Sequence, residues 1–186
     1  MDQISIGVLV GSERKNGYSL QMARAVSAMM PEPFRMHPIS LGQLAMFNQN
    51  YDDEGAVPPE WEELRQTVAR MDGFLFVTPE YNRSVTPLLK NALDIASRPY
   101  GQNRWSEKPC ALISLSPGSM GGFGASRHLL QCLSFLNLYV LPQPEMYIGN
   151  VAALFDSAGE IANPDTKAFL EGFAARFSDW VKRFAK

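Results

Sequence analysis

The chain of 186 residues has few of the side chains that metal sites and disulfide frameworks require. It contains two cysteines, Cys110 and Cys132, and two histidines. The cysteines are too far apart for a metal-ligand motif and too few for a disulfide framework. We therefore expect reduced thiols, as in a cytoplasmic protein, and no metal site.

A strong charge of one sign is also lacking. The 17 basic and 19 acidic residues give a net charge of −2, which creates no long-range field toward nucleic acid or anionic lipid. The first apolar run, residues 4–10, is too short to span a bilayer. It follows an acidic residue, Asp2, where a signal peptide would carry basic ones. We expect a cytoplasmic protein that contacts neither nucleic acid nor membrane and has a small-molecule partner.

What the chain does contain is typical of one globular domain. It is 46% hydrophobic with 14 glycines and 13 prolines, and it shows no repeat, low-complexity tract or linker. We therefore treat residues 1–186 as a single domain.

Apolar runs rich in β-branched residues alternate with segments of helical periodicity. The predicted strands are 4–10, 34–39, 73–78, 110–115 and 139–148. The predicted helices are 18–30, from 58, from 87, 121–138 and from 164 after an Asn163 cap. Five strands that alternate with helices predict a doubly wound parallel sheet with helices on both faces. The irregular stretch 41–57 contains an acidic run, Asp52 to Glu54, that we expect to be a solvated loop.

Ligands of such sheets bind at the carboxyl ends of the strands. The segment after the first strand, residues 11–19, places Ser12, Arg14 and Ser19 beside a helix N-terminus, a combination that favours a phosphate monoester. It has neither the G-x-G-x-x-G dinucleotide motif nor the G-K-[ST] ending of a triphosphate loop. The alternative is that the cations are solvated and Ser19 only caps the helix.

Two further loops lie at the same predicted edge. Residues 78–84 include Tyr81 and Asn82, which could border a planar heteroaromatic ring and bond its edge. Residues 116–122 are rich in glycine, which lets the backbone approach a ligand closely. Each loop could also be an ordinary turn. Together the three loops predict a slot for a phosphorylated planar ligand.

The motifs in these loops carry a resemblance to a known family. Gly11-Ser12-x-Arg14, Thr78-Pro79-Glu80-Tyr81-Asn82-x-Ser84-Val85 and Leu89-Lys90-Asn91-Ala92-Leu93-Asp94 resemble the NAD(P)H-dependent FMN reductases, a family that includes bacterial quinone, chromate and azo-dye reductases. The order of elements matches over nearly the whole chain. One departure is Thr86-Pro87, where many relatives have Pro-Gly.

The resemblance implies a flavodoxin-like five-stranded parallel sheet in the order 2-1-3-4-5 that binds FMN. NADPH or NADH would be the co-substrate, and a quinone or similar small molecule would be the electron acceptor. The family is commonly dimeric or tetrameric, which implies a homodimer or homotetramer. The implied FMN contacts are Gly11, Ser12, Arg14, Lys15, Asn16 and Ser19 in the first loop, Pro79, Glu80, Tyr81, Asn82 and Arg83 in the second, and Ser116 and Gly118 in the third.

Flavin chemistry needs no catalytic acid or base from the protein, and we assign none. Two other functions would use the same slot: an electron shuttle without a nicotinamide site, and a flavin-binding sensor. The Arg14-Lys15 pair and the net charge of only −2 favour the reductase over the acidic shuttle. Cys110, on a predicted buried strand, is expected to be inert. The aromatic residues of the last helix are expected to lie in the core or in a subunit interface.

Overall fold

The computed structural model describes residues 3–184. Its strands are β1 (Ile4–Val10), β2 (Phe34–Ile39), β3 (Gly73–Pro79), β4 (Pro109–Leu115), β5 (Tyr139–Val140) and β6 (Met146–Ile148). Its α-helices are α1 (Tyr18–Met29), α2 (Asn50–Asp53), α3 (Pro59–Arg70), α4 (Pro87–Ala96), α5 (Phe123–Phe135) and α6 (Pro164–Lys182), and a short 3-10 turn covers Val151–Ala153. None of the helices within 3–184 has the length and hydropathy of a membrane-spanning segment.

The strands form one parallel sheet in the order β2-β1-β3-β4-β5, and β6 also pairs with β4. The predicted order 2-1-3-4-5 is confirmed. The predicted fifth strand over 139–148, interrupted by proline, is present as two short strands, β5 and β6, which gives the sheet a sixth strand. Pro142 and Pro144 lie between them, and proline has no N–H to donate to a strand pairing.

Alternate residues of the central strands face two separate cores. Phe74 and Phe76 of β3 pack with side chains of α3, α4 and α5. Leu75 and Val77 of the same strand pack with α1 and α6. Both faces of β3 are buried, as the near-continuous apolar runs predict for a parallel sheet.

Most helix boundaries agree with the capping signals. The side chain of Asn163 accepts hydrogen bonds from the N–H groups of Asp165 and Thr166, as the sequence predicts for α6. The helix predicted over 121–138 is shorter, covering Phe123–Phe135. Gly121 and Gly122 lie outside it because their φ angles are +59° and +74°, which are not helical values.

The acidic run 52–54 differs from the prediction of a solvated loop. The carboxylate of Asp52 accepts two hydrogen bonds of 2.7 Å from Arg65 of α3, and the two side chains are only 6% and 4% exposed. Arg65 also donates from Nε to the carbonyl of Ile95 at 3.1 Å. This buried pair ties the 41–57 segment to α3 and α4, whereas Asp53 and Glu54 are exposed.

We expect Asp52→Ala to lower the free energy of unfolding by about 3–5 kcal/mol, because it leaves a buried guanidinium without its counter-ion. Urea denaturation measures this value. The neighbouring Asp53→Ala is the matched control and should change stability by less than about 0.5 kcal/mol. The double variant Asp52→Leu/Arg65→Met should recover most of the loss, since it removes both charges. Equal effects of the two alanine variants would contradict the role of the pair.

Candidate active site

Three loops leave the carboxyl edge of the sheet side by side. β1 and β3 are neighbours, but the helices that follow them pack on opposite faces, α1 on one and α4 on the other. The chain therefore separates above the β1–β3 pair, and we call the region between the diverging loops the crevice. This is the position at which doubly wound sheets bind ligands. The β4–α5 loop lies on the far side of the β3–α4 loop.

The β1–α1 loop is held by its own hydrogen bonds. Ser12 Oγ accepts from the N–H of Arg14 at 3.3 Å, and the N–H of Gly17 donates to the carbonyl of Arg14 at 2.9 Å. Gly17 is the N-cap of α1, and within residues 3–184 no side chain caps this helix. The side chains of Arg14, Lys15 and Asn16 are exposed. An uncapped helix N-terminus with cations beside it suits an anion.

Two of the residues predicted to contact FMN are buried rather than exposed. Ser19 is buried in the first turn of α1, and Gly11 is buried at the end of β1. A Cβ on Gly11 would lie 2.7 Å from Thr86 Oγ1, so the first two loops can touch only because residue 11 is glycine. Thr86 Oγ1 itself is buried, and among residues 3–184 it has no hydrogen-bond partner. The departure at Thr86 therefore lies at the base of the crevice.

The β3–α4 loop contains a tight turn. Tyr81 and Ser84 exchange two backbone hydrogen bonds of 3.1 and 3.0 Å, and the residues between them, Asn82 and Arg83, have φ angles of 51° and 65°. Two successive positive φ angles define a type I′ turn. The turn leaves the side chains of Tyr81, Asn82 and Arg83 exposed at the crevice edge.

Glu80 anchors this turn to the next loop. Its Oε1 accepts from Arg83 Nη1 at 3.0 Å, and its Oε2 accepts from the N–H of Ala125 at 3.1 Å. Ala125 lies in the first turn of α5, where a carboxylate is stabilised by the helix dipole. The side chain of Glu80 therefore fixes the position of the turn, a role that the sequence pattern did not indicate.

A second contact between the turn and α5 is one that the sequence did not indicate. Ser84 Oγ lies 2.8 Å from His128 Nδ1. The residues are 44 positions apart, and no local pattern links them. Only the packing of α5 beside the β3–α4 loop reveals the pair.

The β4–α5 loop is fastened to the strand beyond it. The N–H of Ser116 donates to the carbonyl of Ile148 at 3.0 Å, and Ser116 Oγ donates to the carbonyl of Gly118 at 2.9 Å. A Cβ on Gly121 would lie 2.4 Å from the carbonyl carbon of Tyr147. Gly118 is exposed, and among residues 3–184 a Cβ there would meet only Ser116 Oγ, at 4.0 Å. At Gly118 the loop thus presents backbone without a side chain, whereas Met120 of the same loop is exposed.

Asn91, in the Leu89–Asp94 motif, forms hydrogen bonds with the segment after β2 rather than with the crevice loops. Its Oδ1 accepts from the N–H of Phe47 at 2.8 Å, and its Nδ2 donates to the carbonyl of Ala45 at 3.1 Å. Trp61 Nε1 donates to the same carbonyl at 3.0 Å. The motif therefore holds the segment after β2.

These features fit FMN. The exposed cations and uncapped N-terminus of the first loop match its phosphate, and the exposed turn and glycine-rich loop can border a flat ring system. Cys110 offers no competing redox group, because it is buried and its burial raises the pKa of the thiol. The expectation that Cys110 is an inert core residue agrees with this.

Comparison with known proteins gives the same result. The model of the family described as NADPH-dependent FMN reductase matches residues 4–153. A quinone reductase of Pseudomonas putida is 46% identical over 98% of this chain and 97% of its own length. A 2-hydroxy-1,4-benzoquinone reductase of a Burkholderia species is 38% identical over 96% of this chain and 97% of its own.

Among solved structures, the flavoenzyme NAD(P)H:(acceptor) oxidoreductase of Paracoccus denitrificans superposes with a TM-score of 0.90 at 32% identity. The match covers 97% of this chain and 98% of that chain. It confirms the predicted flavodoxin-like fold. Fold, family model and full-length relatives agree, and the chain belongs to the NADPH-dependent FMN reductase family.

Proposed function

We propose that the protein oxidises NAD(P)H and reduces quinones through FMN held at the carboxyl edge of its sheet. The observation that carries the proposal is the convergence of three loops on the β1–β3 crevice, with exposed cations at the uncapped N-terminus of α1. The names of the two bacterial relatives, a quinone reductase and a 2-hydroxy-1,4-benzoquinone reductase, support the same activity.

The residues of each loop have separate tasks in this proposal. In the first loop, Gly11 allows the close approach of the loops, while Ser12, Arg14, Lys15, Asn16 and the N-terminus of α1 with Ser19 hold the phosphate. In the second and third loops, the ring system is bordered by Pro79, Glu80, Tyr81, Asn82, Arg83, Ser116 and Gly118.

Bound FMN would supply the redox chemistry, by taking a hydride from NAD(P)H and passing electrons to the acceptor. The chain's own residues would contribute position and charge. Glu80 and Ser84 hold the turn against α5 through Ala125 and His128, so a bound ring would meet groups that are already fixed in position. Fixed orientation of the reactants can lower a barrier by several kcal/mol, on the order of 7–11 in the best cases.

An electron shuttle and a sensor are the alternatives from sequence. The names of the full-length relatives describe reductases, and the first loop carries two exposed cations, Arg14 and Lys15, against one exposed acid, Glu13. Both facts favour the enzyme.

We further propose that the protein is a cytoplasmic homodimer or homotetramer. A groove of about 350 Å³ between α4 and α5 is lined in part by Leu93, Cys132 and Leu136, and Phe135 beside it is 85% exposed. An exposed apolar surface of this kind is typical of a subunit interface. The two free thiols, Cys110 and Cys132, are in keeping with a reducing compartment.

The proposed activity predicts a visible flavin spectrum after reconstitution with FMN. Anaerobic NADPH or NADH should bleach the bands, and an added quinone should restore them. Absorption spectroscopy under nitrogen measures both steps. Bands that persist with both nucleotides would favour the shuttle or the sensor, and a chain that retains no FMN would contradict the cofactor site.

Arg14→Ala should weaken FMN binding by roughly 10- to 100-fold, since a charge-assisted hydrogen bond contributes about 1.5–3 kcal/mol. Fluorescence titration of the apoprotein with FMN measures the dissociation constant. Arg70→Ala is the matched control, because Arg70 is an exposed arginine at the opposite edge of the sheet. Unchanged FMN affinity in Arg14→Ala would remove Arg14 from the site.

Phe135→Glu should shift the protein toward the monomer, because a charge in an apolar interface must be desolvated. Sedimentation velocity measures the change. Ser134→Glu adds the same charge at an exposed position of the same helix that does not line the groove, and it tests whether charge alone disrupts assembly. A mass unchanged by Phe135→Glu would place the interface elsewhere.

A further inference from the structure

Exposed apolar side chains are concentrated beside the crevice. Within residues 3–184, seven large hydrophobic side chains are exposed, and three of them belong to the loops after β3 and β4 or to the first residue of α5. Tyr81 is 47% exposed, Met120 54% and Phe123 44%. We call these three residues the rim patch. Exposed apolar groups at a ligand edge mark a surface that contacts something apolar.

The rim patch is held in place by contacts with its surroundings. The ring of Phe123 meets that of Tyr147 edge to face, with centroids 5.2 Å apart. Met120 Sδ accepts a contact of 3.6 Å from Arg83 Nη1. A Cβ on Gly124 would lie 2.9 Å from the carbonyl of Arg83, so the first turn of α5 abuts the turn that carries Tyr81. The patch is therefore a preformed part of the crevice wall.

The chemistry of the patch fits a flat, uncharged ring. A phenylalanine and a tyrosine offer faces and edges for aromatic contact, and a methionine adapts its shape and makes favourable sulfur–aromatic contacts. Arg83 adds hydrogen-bond donors at the border. Within residues 3–184 it donates only from Nη1, to Glu80 and Met120, and a guanidinium carries five N–H groups in all. Donors that this part of the chain does not use, beside aromatic side chains, match the carbonyl oxygens and ring of a quinone.

Another occupant fits less well. A second copy of the chain would need roughly 20–30 residues a side for a stable interface, far more than these three side chains. The patch also continues directly from the turn proposed to border the flavin ring.

We propose that Met120 and Phe123, with Tyr81, form the binding surface for the ring of an apolar quinone and determine preference for such acceptors. This proposal rests on the proposed function and goes beyond it by assigning the acceptor side of the site. Phe123 is a specificity-determining residue in this view, whereas the NAD(P)H reaction does not depend on it.

The test uses the full chain reconstituted with FMN and follows the two half-reactions separately by anaerobic stopped flow. The flavin is reduced with dithionite and then mixed with 2-methyl-1,4-naphthoquinone or with ferricyanide, a charged inorganic oxidant. In Phe123→Ala, the half-saturating concentration of the naphthoquinone should rise about 5-fold or more. Reoxidation by ferricyanide and reduction by NADPH should each change by less than about 2-fold.

Two further variants provide the controls. Phe169→Ala removes a phenylalanine that is 48% exposed on α6, outside the three crevice loops, and should leave the naphthoquinone reaction unchanged. Phe123→Leu keeps apolar bulk and should retain most of the affinity for the naphthoquinone, which a variant that merely unfolded would not do.

Three results would overturn the proposal. They are a naphthoquinone half-saturation in Phe123→Ala close to that of the wild type, an equal rise in Phe169→Ala, and a loss confined to the NADPH reaction. The third result would assign the patch to the nicotinamide. Failure of the proposed function is visible separately, because a protein that binds no FMN, or holds FMN that NADPH does not bleach, reveals this before any oxidant is added.

Discussion

The crevice depends on one pairing, the parallel contact between β1 and β3. Val10 is in register with Val77, and the N–H of Gly11 extends the pairing by donating to the carbonyl of Val77 at 2.9 Å. Beyond this point the following helices pack on opposite faces, so the two loops diverge above the pair. The apolar residues that bury both faces of β1 and β3 therefore fix the position from which the loops of the site start.

Local sequence signals predicted the framework well, because they describe contacts between residues close in the chain. The apolar runs gave the central strands, and Asn163-Pro164 gave the start of α6. Contacts between distant residues left no such signal. Hydrogen bonds between Arg65 and Asp52, between Ala125 and Glu80, and between Ser84 and His128 each join different elements.

In the candidate site, too, the sequence indicated the local motifs but not the contacts between distant residues. Its motifs and the family resemblance located the three loops, and the structure places Arg14, Tyr81, Asn82 and Gly118 exposed at one edge of the sheet. The pattern could not show that the carboxylate of Glu80 is only 11% exposed and already bonded to two groups. A motif marks which residues recur together, but it does not distinguish a side chain that meets a ligand from one that positions its neighbours.

The turn between Tyr81 and Ser84 has an arginine at a position whose backbone conformation glycine would adopt without strain. Arg83 has a φ of 65°, a conformation that disfavours residues with a Cβ by about 1–2 kcal/mol. Glycine at this position would avoid that strain, but it would remove the guanidinium that links Glu80 to Met120. The turn thus accepts a strained backbone in exchange for a guanidinium at the crevice border, and a search for more stable variants would select against the arginine together with its contacts to Glu80 and Met120.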